Sequence, residues 1–399
     1  MQSGYKRPNG SLRIAQHITA SRCFEGVTGL LLLSLSSTGV SLEMESWKVA
    51  LMSVVIVMLQ NARASTLNEV RNLVVRNNIT CVLVFGDSTV DPGNNNRLPT
   101  TFKSNFRPYG KNFLEGKPSG RFTNGRLPSD LIASELGITK VIPGFLGQNL
   151  TREGLINGAS FASAASGYDD LTANLSTVLP FWKQIEYLAH YKIHLREFMG
   201  EEKASEIVSN AVFLISAGTN DFIQNYFVEA TRATQYKVEE YVDFLITRMA
   251  DYVKELHRHG GTRFVVVGIP PLGCLPLVRT VTGESNCAEQ YNNVGVLFNT
   301  KLRAKLAELQ KLLHVKAAYA DIYGSLLNAI RRPQKYGFVE TSKGCCGTGL
   351  FEYGETCRDQ STCEDPSKYA FWDAVHPTEK MYNIIANDAL KAIGVQVFA

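Results

Sequence analysis

"VLVFGDSTVDPGNNN", Val82–Asn96, sets an unbroken apolar run against a serine and then a turn rich in glycine and asparagine. A short continuous apolar run bounded by a turn reads as a strand buried on both faces, as in parallel sheets. The pattern returns in "AVFLISAGTND" (Ala211–Asp221), in "RFVVVGIPPLGCLP" and in "VKAAYADIY". Between these runs apolar residues recur at helical spacing. They do so in "RLPSDLIASELG" (Arg126–Gly137), "LPFWKQIEYLAHYKIHLREFMG" (Leu179–Gly200), Val238–Leu256, Tyr291–Leu313 and "TEKMYNIIANDALKAI". Alternating strands and helices predict an α/β fold, a three-layer sandwich around a central, mostly parallel sheet. Sites in such sheets gather beyond the carboxyl ends of the strands, where Ser88 and Asn220 both fall.

The first 64 residues have a different character. "GLLLLSLSS" (Gly29–Ser37) is too short to span a bilayer. From Met44 onward the chain reads as a signal peptide. Lys48 supplies the positive charge, "VALMSVVIVML" the apolar stretch, and "ARA" (Ala62–Ala64) the small residues of a cleavage site. The expectation is a start at Met44, an extension ahead of it, cleavage after Ala64, and one domain over 65–399; a membrane anchor is the rival reading. No second hydrophobic span follows, so the mature chain is expected to lack a membrane crossing. The net charge of +4 is small for 399 residues and no basic stripe interleaves with aromatics, which argues against a nucleic-acid partner.

Cysteine placement fits export. Cys81 lies in the first apolar run and reads as an odd, buried thiol. Cys274, Cys287, Cys345, Cys346, Cys357 and Cys363 suffice for three disulfides, with fifteen pairings open. No histidine joins the run "GCCGTGLFEYGETCRDQSTC", so a zinc site is not expected. Sequons at Asn78, Asn149 and Asn174 are candidate glycosylation sites.

Serine-based ester cleavage needs a base, a carboxylate to hold it, and donors for the developing oxyanion. Among seven histidines, His190 and His194 decorate a helix and His257 and His259 end one. His376 in "YAFWDAVHPTE" differs, because Asp373 stands three residues before it and can curl back onto the ring. A helix-capping turn is the bland alternative for this pair. Ser88 also lacks the G-x-S-x-G surroundings of an α/β-hydrolase elbow. For donors, the Ser88 N–H opens a turn after a strand, Gly158 in "NGAS" permits close approach, and Asn220 in "GTND" offers an uncharged amide. Each of these also suits ordinary turn chemistry. Asp87, Asp91, Asn94, Asn95 and Asn96 read as turn anchors, and Asp221 as a brace for the Asn220 turn.

Jointly, "FGDSTVDPGNNN", "NGASFASAASGYDD", "SAGTND" and "WDAVHPTE" resemble the four ordered blocks of the GDSL-type esterase/lipase family of SGNH hydrolases, above all its secreted plant branch. The resemblance runs from about Cys81 to Leu390 and departs at Thr89, where the name-giving motif has leucine. It implies a flavodoxin-like sandwich and a catalytic Ser88, Asp373 and His376. It also implies an oxyanion hole of Ser88, Gly158 and Asn220, with no metal and no cofactor. The implied partner is an acyl ester: a lipid, a phenolic ester or an acetylated saccharide. An acyltransferase using the same site, or an extracellular binding protein, are the alternatives. Phe102, Phe106, Tyr109, Phe222, Tyr226 and Phe227 are candidate cleft aromatics.

Overall fold

The computed structural model describes residues 52–54, 71–147 and 150–397, so most of the leader assigned to 44–64, and the sequon at Asn149, lie outside the described residues. The fold belongs to the unit Thr66–Ala399. Its central strands are β1 (Val82–Gly86), β2 (Val212–Ser216), β3 (Arg263–Val267) and β4 (Lys316–Ala320). They pair in parallel in the order β1-β2-β3-β4. Every residue of β1 and β2 is buried, which is why these strands read as continuous apolar runs without alternation.

A fifth extended segment, 159–163, completes the sheet on the other side of β1. Val84 N–H donates to Ala159 O at 3.0 Å, Phe161 N–H to Val84 O at 2.8 Å, and Ser163 N–H to Gly86 O at 2.9 Å. In chain order the five segments stand 2-1-3-4-5. That is the doubly wound flavodoxin-like order, whose binding crevice opens where β1 and β2 diverge. Ser88 and Asn220 lie just past those two strand ends.

The principal helices flank the sheet: α1 (Pro128–Glu135), α2 (Phe181–Met199), α3 (Val238–Arg258), α4 (Glu289–Leu313) and α5 (Glu379–Gln396). Helix α5 packs on α1 and β4, while α3 packs on α2 and α4. In α3, Tyr241, Leu245, Met249, Val253 and Leu256 form the buried stripe, matching the helical spacing read from sequence. The Glu240 carboxylate accepts the Lys237 N–H at 2.8 Å and closes its first turn. Among the described residues no helix is long and apolar enough to cross a membrane.

A second, two-stranded sheet pairs β5 (Glu340–Gly344) with β6 (Tyr369–Phe371) in parallel. Between them, Cys345–Cys363 and Cys346–Cys357 form nested disulfides, and Cys274–Cys287 is the third bridge. The cysteine run is therefore committed to disulfides rather than to metal ligation. Cys81 is free and buried, its thiol pushed up to about 12 by loss of solvent. The stapled loop grips the next segment: Cys345 and Cys346 N–H both donate to Trp372 O, at 2.9 and 2.8 Å. Ala374 N–H donates to Glu352 O at 2.9 Å. These bonds fix the backbone on either side of Asp373.

Candidate active site

Strand β1 ends in an unusually close backbone approach. Gly86 has φ 138°, and a Cβ there would sit 1.8 Å from Ser216 O, so only glycine lets the chain leave the sheet at this point. Gln184 of α2 holds the same glycine from the other side, accepting its N–H at 2.8 Å and donating to its carbonyl at 3.0 Å. The next residues form a polar turn. Asp87 accepts both the N–H and the hydroxyl of Thr89, at 2.9 and 2.7 Å. Thr89 thus has a role that leucine could not fill, and its hydroxyl also meets Ser216 Oγ at 2.8 Å.

The acidic and amide residues after the serine are fasteners. Asp91 accepts N–H groups from Gly93 and Asn94 through one oxygen and from Ala164 through the other. Asn94 donates to Ser160 O and Ala162 O, and Asn95 to Ala164 O. Together they zip the Ser88 turn to the fifth segment. Burial pushes the carboxyls of Asp87 and Asp91 up to about 6, partly opposed by these hydrogen bonds.

His376 arrives from the far end of the chain. Trp372 N–H donates to His376 O at 2.7 Å, closing a tight turn in which Asp373 Oδ1 accepts the N–H groups of Val375 (2.8 Å) and His376 (2.7 Å). Thr378 then caps α5 by accepting the Met381 N–H. Inside the turn, His376 Nδ1 lies 2.8 Å from Asp373 Oδ2, and Nε2 lies 2.8 Å from Ser88 Oγ. All three residues are buried, and the Phe122 ring packs 5.0 Å from the imidazole. With Nδ1–H held by a carboxylate, the Nε2 lone pair faces the serine hydroxyl, the tautomer a general base requires.

The surroundings of Ser88 differ from the sequence expectation at one position. Gly158 is not at the site. It packs on Val82, at the opposite end of β1 from Ser88, where a Cβ would meet Val82 O at 2.0 Å. Its N–H is taken by Leu155 O at 3.2 Å. Gly158 lets the fifth segment enter alongside β1, and seven residues later the segment reaches Ser88. There Ala165 takes the left-handed conformation, φ 69°, and shares a cleft with Ser88, Asn220 and His376. Among the described residues, the backbone N–H groups of Ser88 and Ala165 make no hydrogen bond within the protein. Asn220 spends one amide N–H on Ser166 O at 2.9 Å and has a second to offer. Asp221 braces this turn by accepting Tyr168 N–H, Asp169 N–H and the Thr172 hydroxyl.

Left-handed alanine costs about 1 kcal/mol relative to glycine. Ala165→Gly should therefore raise unfolding stability by about that amount, read as a higher urea midpoint at unchanged slope.

The cleft holds about 160 Å³ and has Phe102, Ile223, Val228, Leu277 and Val375 on its apolar walls. A smaller recess of about 30 Å³, walled by Leu275, Ile322 and Leu326, adjoins Ser88 on the β4 side. Of the candidate aromatics only Phe102 lines this cleft. Phe222 is wholly buried core, Tyr226 and Phe227 pack against Tyr241 and Tyr291, and Phe106 and Tyr109 stand behind the Asp373 turn. Sequence reasoning missed Ala165 and Gln184. The "SAAS" stretch offers small residues but no mark of its backbone angle, and Gln184 is one polar residue on an otherwise ordinary helix face. Asn78 and Asn174 are both exposed.

Comparison with known proteins agrees with this fold. Residues 82–389 match the GDSL-like Lipase/Acylhydrolase family. The chain is similar to the Arabidopsis thaliana GDSL esterase/lipase At5g45950, 51% identical over 81% of this chain and 90% of that protein. It is also similar to the GDSL esterases/lipases At4g26790 and At2g04570 of the same plant, at 42% and 41% identity over 78% and 77% of this chain and 90% of each relative. With the match covering the sheet, the Ser88 turn and the Asp373–His376 turn alike, the chain belongs to the GDSL-like lipase/acylhydrolase family.

Proposed function

We propose that the protein is a secreted serine ester hydrolase working through an acyl-enzyme. The observation that carries this reading is the buried line Asp373–His376–Ser88, linked by two contacts of 2.8 Å, beside backbone donors with no partner of their own. In the proposed cycle, His376 Nε2 takes the Ser88 Oγ proton as Oγ attacks the acyl carbonyl. Asp373 holds the imidazolium that forms. The carbonyl oxygen, now negative, meets the N–H groups of Ser88 and Ala165 and the Asn220 amide. Nε2 then gives its proton to the departing alkoxide. Water repeats the sequence and frees the acid.

Three disulfides support passage through an oxidising compartment, and the exposed Asn78 and Asn174 are proposed to carry glycans there. The apolar cleft walls favour an ester with an apolar group on at least one side of the scissile bond. A series of p-nitrophenyl esters of increasing acyl length, run beside acetylated sugars and phenolic esters, tests this. Activity confined to acetylated sugars would overturn it.

Asn220→Ala separates the oxyanion role from binding. Removing one such donor should lower kcat by about 10²- to 10³-fold while KM changes little. An unchanged kcat would remove Asn220 from the hole.

A further inference from the structure

Behind Asp373, away from the substrate cleft, stands a phenol that the ester-cleavage cycle above does not use. Tyr109 is buried, wedged edge-on among Phe106, Phe122 and Trp372 with ring centroids 5.7 to 6.3 Å away. Its oxygen has two partners. Gly354 N–H, from the disulfide-stapled loop, donates to it at 2.7 Å, and it lies 2.7 Å from Asp373 Oδ2. A backbone N–H only donates and a carboxylate only accepts. The single phenolic hydrogen therefore points at Asp373. Burial and the neighbouring carboxylate raise the Tyr109 hydroxyl well above its ordinary range, so that hydrogen stays in place across the working pH.

We propose that Tyr109 is a positioning residue for the reaction, fixing the rotation and the charge of the Asp373 carboxylate and, through it, the His376 ring. The inference rests on the triad reading and goes beyond it. Oδ1 is already engaged by the Val375 and His376 N–H groups and lies 2.9 Å from Nδ1, whereas Oδ2, 2.8 Å from Nδ1, has Tyr109 as its second donor. Without that hydroxyl, Oδ2 would face an aromatic wall with the imidazole as its one partner. The carboxylate would become more basic, and protonated His376 would be held more tightly. The other titratable groups facing the pair are Asp87 from the Ser88 turn, Tyr353 from the stapled loop and Tyr382 from α5. None of them lies between Tyr109 and Oδ2.

Tyr109→Phe keeps the ring and deletes the hydroxyl. Rates are normalised to active sites titrated with an organophosphate, so misfolded protein does not count. The expected result is a fall in kcat/KM of about tenfold on a soluble short ester. The acidic limb of its pH profile should move upward by about half a unit or more. A second variant carries 3-fluorotyrosine at position 109 alone. That phenol is a stronger donor of nearly the same size, and it should move the limb downward; it decides the matter if the phenylalanine variant does not fold. A limb that stays at the wild-type pH, with or without a loss of rate, reduces Tyr109 to packing and overturns the proposal. Hydrolysis that survives in Ser88→Ala overturns the triad reading instead. An intact dependence on Ser88 with an unmoved limb overturns the Tyr109 role alone.

Discussion

Ser88→Ala should lower kcat by at least about 10⁴-fold and abolish covalent labelling by an organophosphate, with the fold intact. The rate loss follows from chemistry: among the described residues no other hydroxyl lies on His376 Nε2 to be acylated in its place. The fold should survive because, among the described residues, the Ser88 hydroxyl bonds to that same nitrogen alone, while Asp87 and Gln184 hold the turn. Thermal unfolding and near-UV spectra would confirm that. Labelling that persists in the variant would place the nucleophile elsewhere and remove the proposed cycle.

The second large effect is expected for Asp373→Asn, a loss of about 10⁴-fold in kcat near neutral pH. Oδ1 accepts two backbone N–H groups, so the amide oxygen of asparagine takes that place. Its NH2 group then occupies the Oδ2 place, facing His376 Nδ1 and the Tyr109 hydroxyl. The Oδ1 place is 2.9 Å from Nδ1 but already takes two backbone N–H groups, so a donor at the Oδ2 place favours the ring proton on Nε2, where it points at Ser88. The imidazole has then lost the lone pair it needs as a base. Size and shape barely change, so stability should fall far less than rate. If the variant kept wild-type kcat, Asp373 would be a helix-entry cap and nothing more.

Much of this architecture is visible in the sequence because parallel strands buried on both faces leave continuous runs such as "VLVFG" and "VFLIS". The Asp373–His376 pair is visible for a different reason. Both residues lie on one four-residue turn, so their spacing alone brings them together. The fifth segment is hidden, because small residues replace the bulky apolar ones that mark a strand. Gly158 reads as a donor from sequence because a missing side chain permits close approach. Its angle, φ 107°, serves the entry of the segment beside Val82, while the left-handed residue at the cleft is an alanine. Tyr109 is likewise silent in sequence: 264 residues separate it from Asp373, and nothing local to either predicts the pairing.

Ser88 and His376 stand 288 positions apart, which also orders events in time. A ribosome releases the hydroxyl well before the imidazole, and the helix that follows the imidazole's turn, α5, packs on α1 and β4. Until that turn emerges the growing polypeptide holds an ordinary, unreactive alcohol. On the proposed cycle, a chain cut short before that turn has its nucleophile but no base, and should cleave nothing.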